Sequence, residues 1–230
     1  MSEKGQLFVV GTPIGNLKDI TIRAISTLQN VDLILAEDTR NSKKLLNAHN
    51  IDTKMISYHE HSNENETQRI IDLLNDWKNL ALISDAGTPT VSDPGYGLIM
   101  NCIKKKIKII PIPGASAITA ALSVSGLPSD SFSFYGFLPQ KKGRLKKIKD
   151  FINIDNTIIL FESPYRLEKT LNQILDLLGN RTVVIGRELT KLYEEIIRGN
   201  LREVIEHFSK TKVKGEIVIM IGKDDDRINF

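Results

Sequence analysis

The feature that most constrains this 230-residue chain is a repeated junction, where a short apolar run stops abruptly at a loop of Gly, Pro and polar residues. Leu80 to Ile83 runs into Ser84-Asp85-Ala86-Gly87-Thr88-Pro89, and Leu7 to Val10 into Gly11-Thr12-Pro13-Ile14-Gly15-Asn16. Val31 to Ala36 ends in Glu37-Asp38-Thr39-Arg40, and Ile109 to Ile112 in Pro113-Gly114-Ala115-Ser116. A short apolar run bounded by turn residues reads as a buried strand. Strands buried on both faces belong to parallel sheets, and ligands of such sheets bind outside the strands' carboxyl ends, where loops converge. The four junctions predict one rim that carries the chemistry.

Helix-length amphipathic segments separate the junctions. A helix is expected from about Ile20 to Leu28, capped by Asp19, with Ile22, Ile25 and Leu28 as its apolar set. Others are expected near Asn41 to Asn50, over Thr67 to Lys78 with Ile70, Ile71, Leu74 and Trp77 inward, and over Tyr96 to Lys105. With short strands at Met55 to Tyr58 and Lys108 to Ile112, the alternation predicts a doubly wound, mainly parallel α/β domain over residues 1–113.

After Pro113 the texture changes. A helix rich in small residues is expected over Ser116 to Val124, then a strand at Ser131 to Tyr135, a basic helix over Lys141 to Phe151 and a strand at Thr157 to Phe161. An amphipathic helix from Tyr165 to Leu178 closes at Gly179, and Thr182 to Glu188, Tyr193 to Arg198, a helix over Leu201 to Phe208, and Glu216 to Ile221 follow. The connection between Thr182 to Glu188 and Tyr193 to Arg198 is too short for a parallel crossover, so that pair should be antiparallel. Residues 114–230 are therefore expected to form a second α/β domain with a mixed sheet, and Lys223 to Phe230 reads as a frayed tail.

Composition narrows the chemistry. The chain is 41% hydrophobic, yet no apolar run is long enough to cross a bilayer, and Met1 to Gln6 lacks a signal-peptide layout, so a cytoplasmic location is expected. Cys102 is the single cysteine and reads as core filler. His59 and His61 flank Glu60, but no third and fourth ligand follow at a recognisable spacing, so no metal is expected. No Ser-His-Asp arrangement or G-x-S-x-G elbow appears, which disfavours hydrolase chemistry. The Gly11 to Asn16 loop matches neither nucleotide-phosphate pattern, and Pro13 removes a donor.

Four stretches remain as candidates. The net charge of +3 is too small to argue for nucleic acid, but Lys141, Lys142, Arg144, Lys146, Lys147 and Lys149 form a basic run that is either a solvated helix face or a phosphate-binding arm. Glu37-Asp38-Thr39-Arg40 is either a helix cap with a surface ion pair or a substrate-facing cluster. Asp85 to Pro89 and Pro113 to Ala117 offer backbone carbonyls, small side chains and one carboxylate. That lining suits a neutral-to-cationic organic cofactor, S-adenosylmethionine better than ATP.

Taken together, Gly11 to Leu17, Ala36 to Arg40, Ser84 to Pro89 with Ser92-Asp93-Pro94-Gly95, Pro113 to Ala117, Gly136-Phe137-Leu138-Pro139 and Arg187 to Lys191 occur in a recognisable order. Over nearly its whole length the chain resembles the ribosomal RNA small subunit methyltransferase I family. The resemblance implies the tetrapyrrole-methylase fold, two α/β domains with S-adenosylmethionine in the cleft between them, and a homodimer. It implies 2′-O-methylation of a cytidine in the decoding region of 16S ribosomal RNA, within the 30S subunit. For the cofactor it implies Pro13, Asp85, Ala86, Gly87, Thr88, Ser116 and Ala117, joined by Phe161, Leu189 and Gly215.

The Glu37 to Arg40 string and Asp93 then turn toward the RNA, where Glu37 or Asp38 assists loss of the 2′-hydroxyl proton and Arg40 orients a phosphate. Lys191 is the alternative catalytic group, and Lys141, Lys142, Arg144, Lys146 and Lys147 become RNA contacts. Many relatives carry a further helical tail, which bears on RNA affinity. The competing readings are a methyltransferase of the same fold acting on a tetrapyrrole or a protein side chain, and a non-catalytic RNA-binding module.

Overall fold

Each apolar run of the first half becomes a strand. In a computed structural model describing residues 4–60, 62–210 and 213–223, β1 (Gln6–Val10), β2 (Leu33–Ala36), β3 (Met55–Ser57), β4 (Leu80–Ile83) and β5 (Lys108–Ile112) form one sheet. Its order is β3-β2-β4-β1-β5, and every pair is parallel. Helices α1 (Ile22–Asn30), α2 (Thr39–Ala48), α3 (Glu64–Asn75) and α4 (Tyr96–Lys104) lie between the strands in sequence. Successive strand residues point to opposite faces. Ile34, Ala36, Ala81 and Ile83 accordingly pack with Leu28, Leu45 and Leu46 of α1 and α2, while Leu33, Leu35, Leu80 and Leu82 pack with Ile70, Ile71 and Leu98 of α3 and α4.

Two helix expectations are corrected. Thr21, not Asp19, caps α1, its side chain accepting from the Ala24 N–H at 3.1 Å, because Leu17–Asp19 forms a separate 3-10 turn. Leu28 is buried together with Ala24 and Ile25 packs against the same core, as expected, but Ile22 at the first helical position is exposed. Helix α3 stops at Asn75, so Trp77 falls in a left-handed turn (φ 67°) and is exposed, although it keeps helical spacing from Leu74.

The second half holds α5 (Ala117–Ser125), β6 (Phe132–Phe137), α6 (Arg144–Asp150), β7 (Thr157–Glu162), α7 (Leu167–Leu178), β8 (Thr182–Arg187), β9 (Glu195–Asn200), α8 (Leu201–Ser209) and β10 (Ile217–Ile221). Its sheet runs β6-β7-β10-β8-β9, with β6 and β7 parallel and the other pairs antiparallel. The hairpin of β8 and β9 is the pair that the short connection requires. Leu171 and Ile174 of α7 and Val204 and Phe208 of α8 close a core over Ile158, Leu160, Val183, Ile185, Ile217 and Ile219. The Arg198 guanidinium closes the end of α5 by donating to the Val124 and Ser125 carbonyls.

The chain divides into two compact units, Met1–Ser116 and Ala117–Phe230. The Gly114-Ala115-Ser116 loop therefore goes with the first unit, three residues past the expected boundary. No helix among the described residues is long and apolar enough to cross a membrane. His61 and residues 224–230 of the expected tail lie outside the described residues.

Candidate active site

Three loops meet at the carboxyl ends of β1, β4 and β5. The Thr12 N–H donates to the Gly87 carbonyl at 2.8 Å, and the Gly87 N–H returns to the Thr12 carbonyl at 3.1 Å, zipping the β1 and β4 loops together. The buried Thr12 hydroxyl lies 3.2 Å from the Ser84 carbonyl and 3.3 Å from that of Gly87. Pro13 is buried beside this bridge. On the other flank Gly11 and Gly114 touch backbone to backbone; a Cβ on Gly114 would stand 2.5 Å from the Gly11 carbonyl oxygen, so neither position admits a side chain. The resulting wall is built from main chain, Ala86, Thr88 and the exposed Asp85, with no basic side chain in its loops to meet a polyphosphate. Carbonyls, a hydroxyl and a carboxylate can receive amino and hydroxyl groups, a donor set that fits S-adenosylmethionine.

The β2 loop is tied to this wall by reciprocal bonds. The Asp85 N–H donates to Glu37 Oε2 at 3.3 Å, and the Asp38 N–H donates to Asp85 Oδ1 at 3.2 Å. Asn41 Nδ2 donates to Asp85 Oδ2 at 2.9 Å. Asp38 caps α2, accepting from the Arg40 N–H at 2.8 Å and from its guanidinium at 3.1 and 2.7 Å. Those Arg40 contacts hold the Asp38 carboxyl at about 2, which makes it a poor proton acceptor. Asp38 thus leaves the proton-transfer role expected of it and becomes a cap and an anchor for Arg40.

Glu37 and Asp93 are pushed the other way. Burial raises Glu37, and the nearby Asp85, Asp38 and Glu60 carboxylates add to it against the bond from the Asp85 N–H. Asp93, in the loop before α4, is raised to about 6, by burial first and then by the Glu37 and Asp85 charges, with the Ser84 hydroxyl opposing. The family resemblance turns Asp93 toward the RNA but does not disclose its proton affinity, which comes first from burial and then from the carboxylates that the pairing of β2 with β4 brings near. Among the described residues no group of His, Cys, Asp or Glu could hold a metal ion.

In the second unit Leu189, Lys191 and Gly215 come together around Glu188. Lys191 Nζ lies 3.0 Å from Glu188 Oε1 and 3.1 Å from Glu216 Oε2, and Glu188 Oε1 also accepts from the Glu216 N–H at 2.9 Å. Gly215 (φ 92°) leaves the space for Glu188, whose side chain would lie 2.4 Å from an added Cβ. Burial works against the Lys191 charge, but the two carboxylates outweigh it and raise its pKa. Lys191 is therefore an ammonium donor and not a base. Leu189 covers Gly186, and Phe161 lies across the sheet with Val218 between them in register.

The basic run divides. Lys141, Lys142 and Lys146 are exposed, and Lys147 Nζ sits 4.2 Å above the Tyr135 ring. Arg144 is corrected as an RNA contact. It is 4% exposed and donates to Gln173, the Pro139 carbonyl, Glu162 and Thr170. Arg144 and Ile148 lie four apart, on the inward face of α6.

Comparison with known proteins agrees with this architecture. The family described as Tetrapyrrole (Corrin/Porphyrin) Methylases matches residues 6–205. The chain is 50% identical over 227 residues to Ribosomal RNA small subunit methyltransferase I of Halalkalibacterium halodurans, covering 98% of this chain and 78% of that one. It is 48% identical over 221 residues to the Thermotoga maritima protein of the same name, covering 96% and 100%. Solved structures show the same fold at low identity. A diphthine synthase aligns with a TM-score of 0.75 at 16% identity over 95% of this chain and 90% of that one, and a cobalt precorrin-4 methyltransferase at 0.69 and 17% over 94% of each. By its sequence the chain belongs to the ribosomal RNA small subunit methyltransferase I family, within the tetrapyrrole methylases.

Proposed function

We propose that the chain transfers a methyl group from S-adenosylmethionine to the ribose 2′-oxygen of a cytidine in the decoding region of 16S ribosomal RNA. In this reading it acts on the 30S subunit, as a homodimer in the cytoplasm. The observation that carries it is 50% identity over 98% of the chain to a protein named for methylation of small-subunit ribosomal RNA. The rim supports the cofactor half. Pro13 and Asp85 to Thr88 are the proposed contacts there, with Ser116 and Ala117 where β5 leads into α5. Phe161, Leu189 and Gly215 are the proposed contacts from the second unit.

When bound, S-adenosylmethionine supplies an electrophilic methyl group. The chain's own residues align that group with the ribose oxygen and keep water out, because in-line displacement depends on orientation more than on any further chemistry. A ribose hydroxyl is a weak nucleophile until its proton is drawn away. Glu37, with its raised proton affinity, assists that loss; Lys191, whose ammonium can favour the alkoxide, is the alternative group. Arg40, exposed and steadied by Asp38, meets a backbone phosphate. Lys141, Lys142, Lys146 and Lys147 supply salt-sensitive affinity for the RNA.

The test is incubation with labelled S-adenosylmethionine and 30S subunits lacking the modification, then nuclease digestion and mass mapping. The expected product is 2′-O-methylcytidine from the decoding region. Absence of label from the RNA, with cofactor binding demonstrated, overturns the reading.

A further inference from the structure

The first unit carries a cleft of about 940 Å³ beside the loops assigned to the cofactor. It opens at the carboxyl ends of β2 and β3, with Tyr58 and His59 after β3 on one side and Asp93 and Tyr96 at the entry to α4 on the other. Glu37 lines it as well. The order β3-β2-β4-β1-β5 sets this cleft next to the β1, β4 and β5 loops, at about 5 Å per strand. The two regions join where the Asp85 N–H donates to Glu37.

The volume suits a ligand of nucleoside size. The lining selects which part of a nucleotide can enter: Glu37, Glu60, Glu64 and Asp93 repel phosphate, whereas the exposed rings of His59 and Tyr96 can receive a base. RNA is read mostly through bases splayed out of a single strand and stacked on such rings. We propose that this cleft receives the acceptor nucleoside of the RNA and that Asp93 takes the proton of its 2′-hydroxyl. The assignment rests on the methylation reading above and deepens it.

The loop that presents Asp93 is held in an uncommon shape, with Thr90 at φ 75° and Ser92 at φ 63°. Strain of this kind persists where the surroundings fix it, and it collects at functional sites. The titratable groups facing Asp93 are Glu37 from β2 and Asp85 from β4; His59, Glu60 and Glu64 line the same cleft. Glu37 therefore assists by keeping Asp93 basic. In the step, the 2′-O–H bond breaks with its proton going to the Asp93 carboxylate, and the freed electron pair bonds the methyl carbon. The carbon–sulfur bond breaks with its pair on sulfur, so charge and electrons balance without a further reactant.

Single-turnover transfer to 30S subunits lacking the mark, followed between mildly acidic and mildly alkaline pH, tests the role of Asp93. Ultraviolet crosslinking of the same complex, with peptide mapping, tests the cleft. The wild-type rate should rise with a midpoint near pH 6. Asp93→Asn should slow transfer at neutral pH by roughly 10²- to 10³-fold, the span of general-base catalysis, while cofactor affinity measured calorimetrically stays within about twofold. Ser84→Ala, which removes a hydrogen bond to the Asp93 carboxylate, should move the midpoint upward, and this variant decides the matter if Asp93→Asn fails to fold. Crosslinks should fall on His59 or Tyr96. A wild type that labels RNA while Asp93→Asn matches its rate, a Ser84→Ala midpoint that does not move, or crosslinks confined to the second unit overturns this assignment alone. A wild type that labels no RNA overturns the methylation reading and this assignment with it.

Discussion

Each unit gathers charged side chains in one place, and the two gatherings are built on opposite terms. In the second unit Glu162, 2% exposed, lies 3.2 Å from the Arg144 guanidinium and 2.7 Å from that of Arg166. The Thr170 hydroxyl and the Ser163 N–H complete its bonds. In the first unit Glu37, Asp85 and Asp93 stand together at the strand ends, and the ion pairs of the described residues include none of the three. A buried charge with partners on all sides fixes the geometry of the elements that supply them; here Arg144 and Gln173 hold α6 against α7. In the first unit burial and then the neighbouring carboxylates raise the proton affinity of Glu37 and Asp93, which costs stability and is useful to proton transfer.

The sharpest way to break this comparison is to remove a partner from the compensated cluster. Glu162→Gln leaves two arginines short of a counter-charge and should cost about 3–5 kcal/mol in urea unfolding. A loss below about 1 kcal/mol would mean that water already reaches the cluster. Between the extremes stands Lys191 with its two carboxylates. Gly215→Ala must push Glu188 aside at a left-handed position, and about 1–3 kcal/mol of stability should go with it, read from thermal melts.

The uncompensated cluster should answer with the opposite sign. Asp93 is raised to about 6 when folded, from an ordinary value of 3.8, so the folded chain binds its proton more readily than the unfolded chain. Stability from this group is present below pH 3.8 and is lost as pH rises through about 6. Asp93→Asn should therefore stabilise the protein by ~1–2 kcal/mol at neutral pH, after allowance for partial exposure, and the gain should fade in acid. Parallel urea titrations of both proteins across that range check it. Smallest in stability is Lys146→Ala, within about 0.5 kcal/mol; its mark should be a shallower salt dependence of RNA binding, by ~0.7 in the logarithmic slope.

How far the sequence could be read follows from where information is local. The strand Leu80–Ile83 and the strand Lys108–Ile112 fall at their expected bounds, because an apolar run and the turn residues that stop it are neighbours in the chain. The motif strings reach further still, since they carry the family as well as the loops. What the sequence could not give is direction. Arg144 sits in a run of lysines that looks uniform until α6 turns it inward, and Trp77 continues a helical spacing after the helix has ended. The tuning of Asp93 is likewise invisible in one dimension, since it comes first from burial in the folded chain and then from carboxylates 56 and 8 residues earlier.

The reciprocal bonds between Glu37, Asp38 and Asp85 make the ends of β2 and β4 a single jaw. Neither tip can shift without dragging the other, so a misfit on one side is felt on the other as lost alignment. Tolerance to substitution should therefore be shared across the pair, and a change at the Asn41 end of the clasp should be felt as far as Glu37.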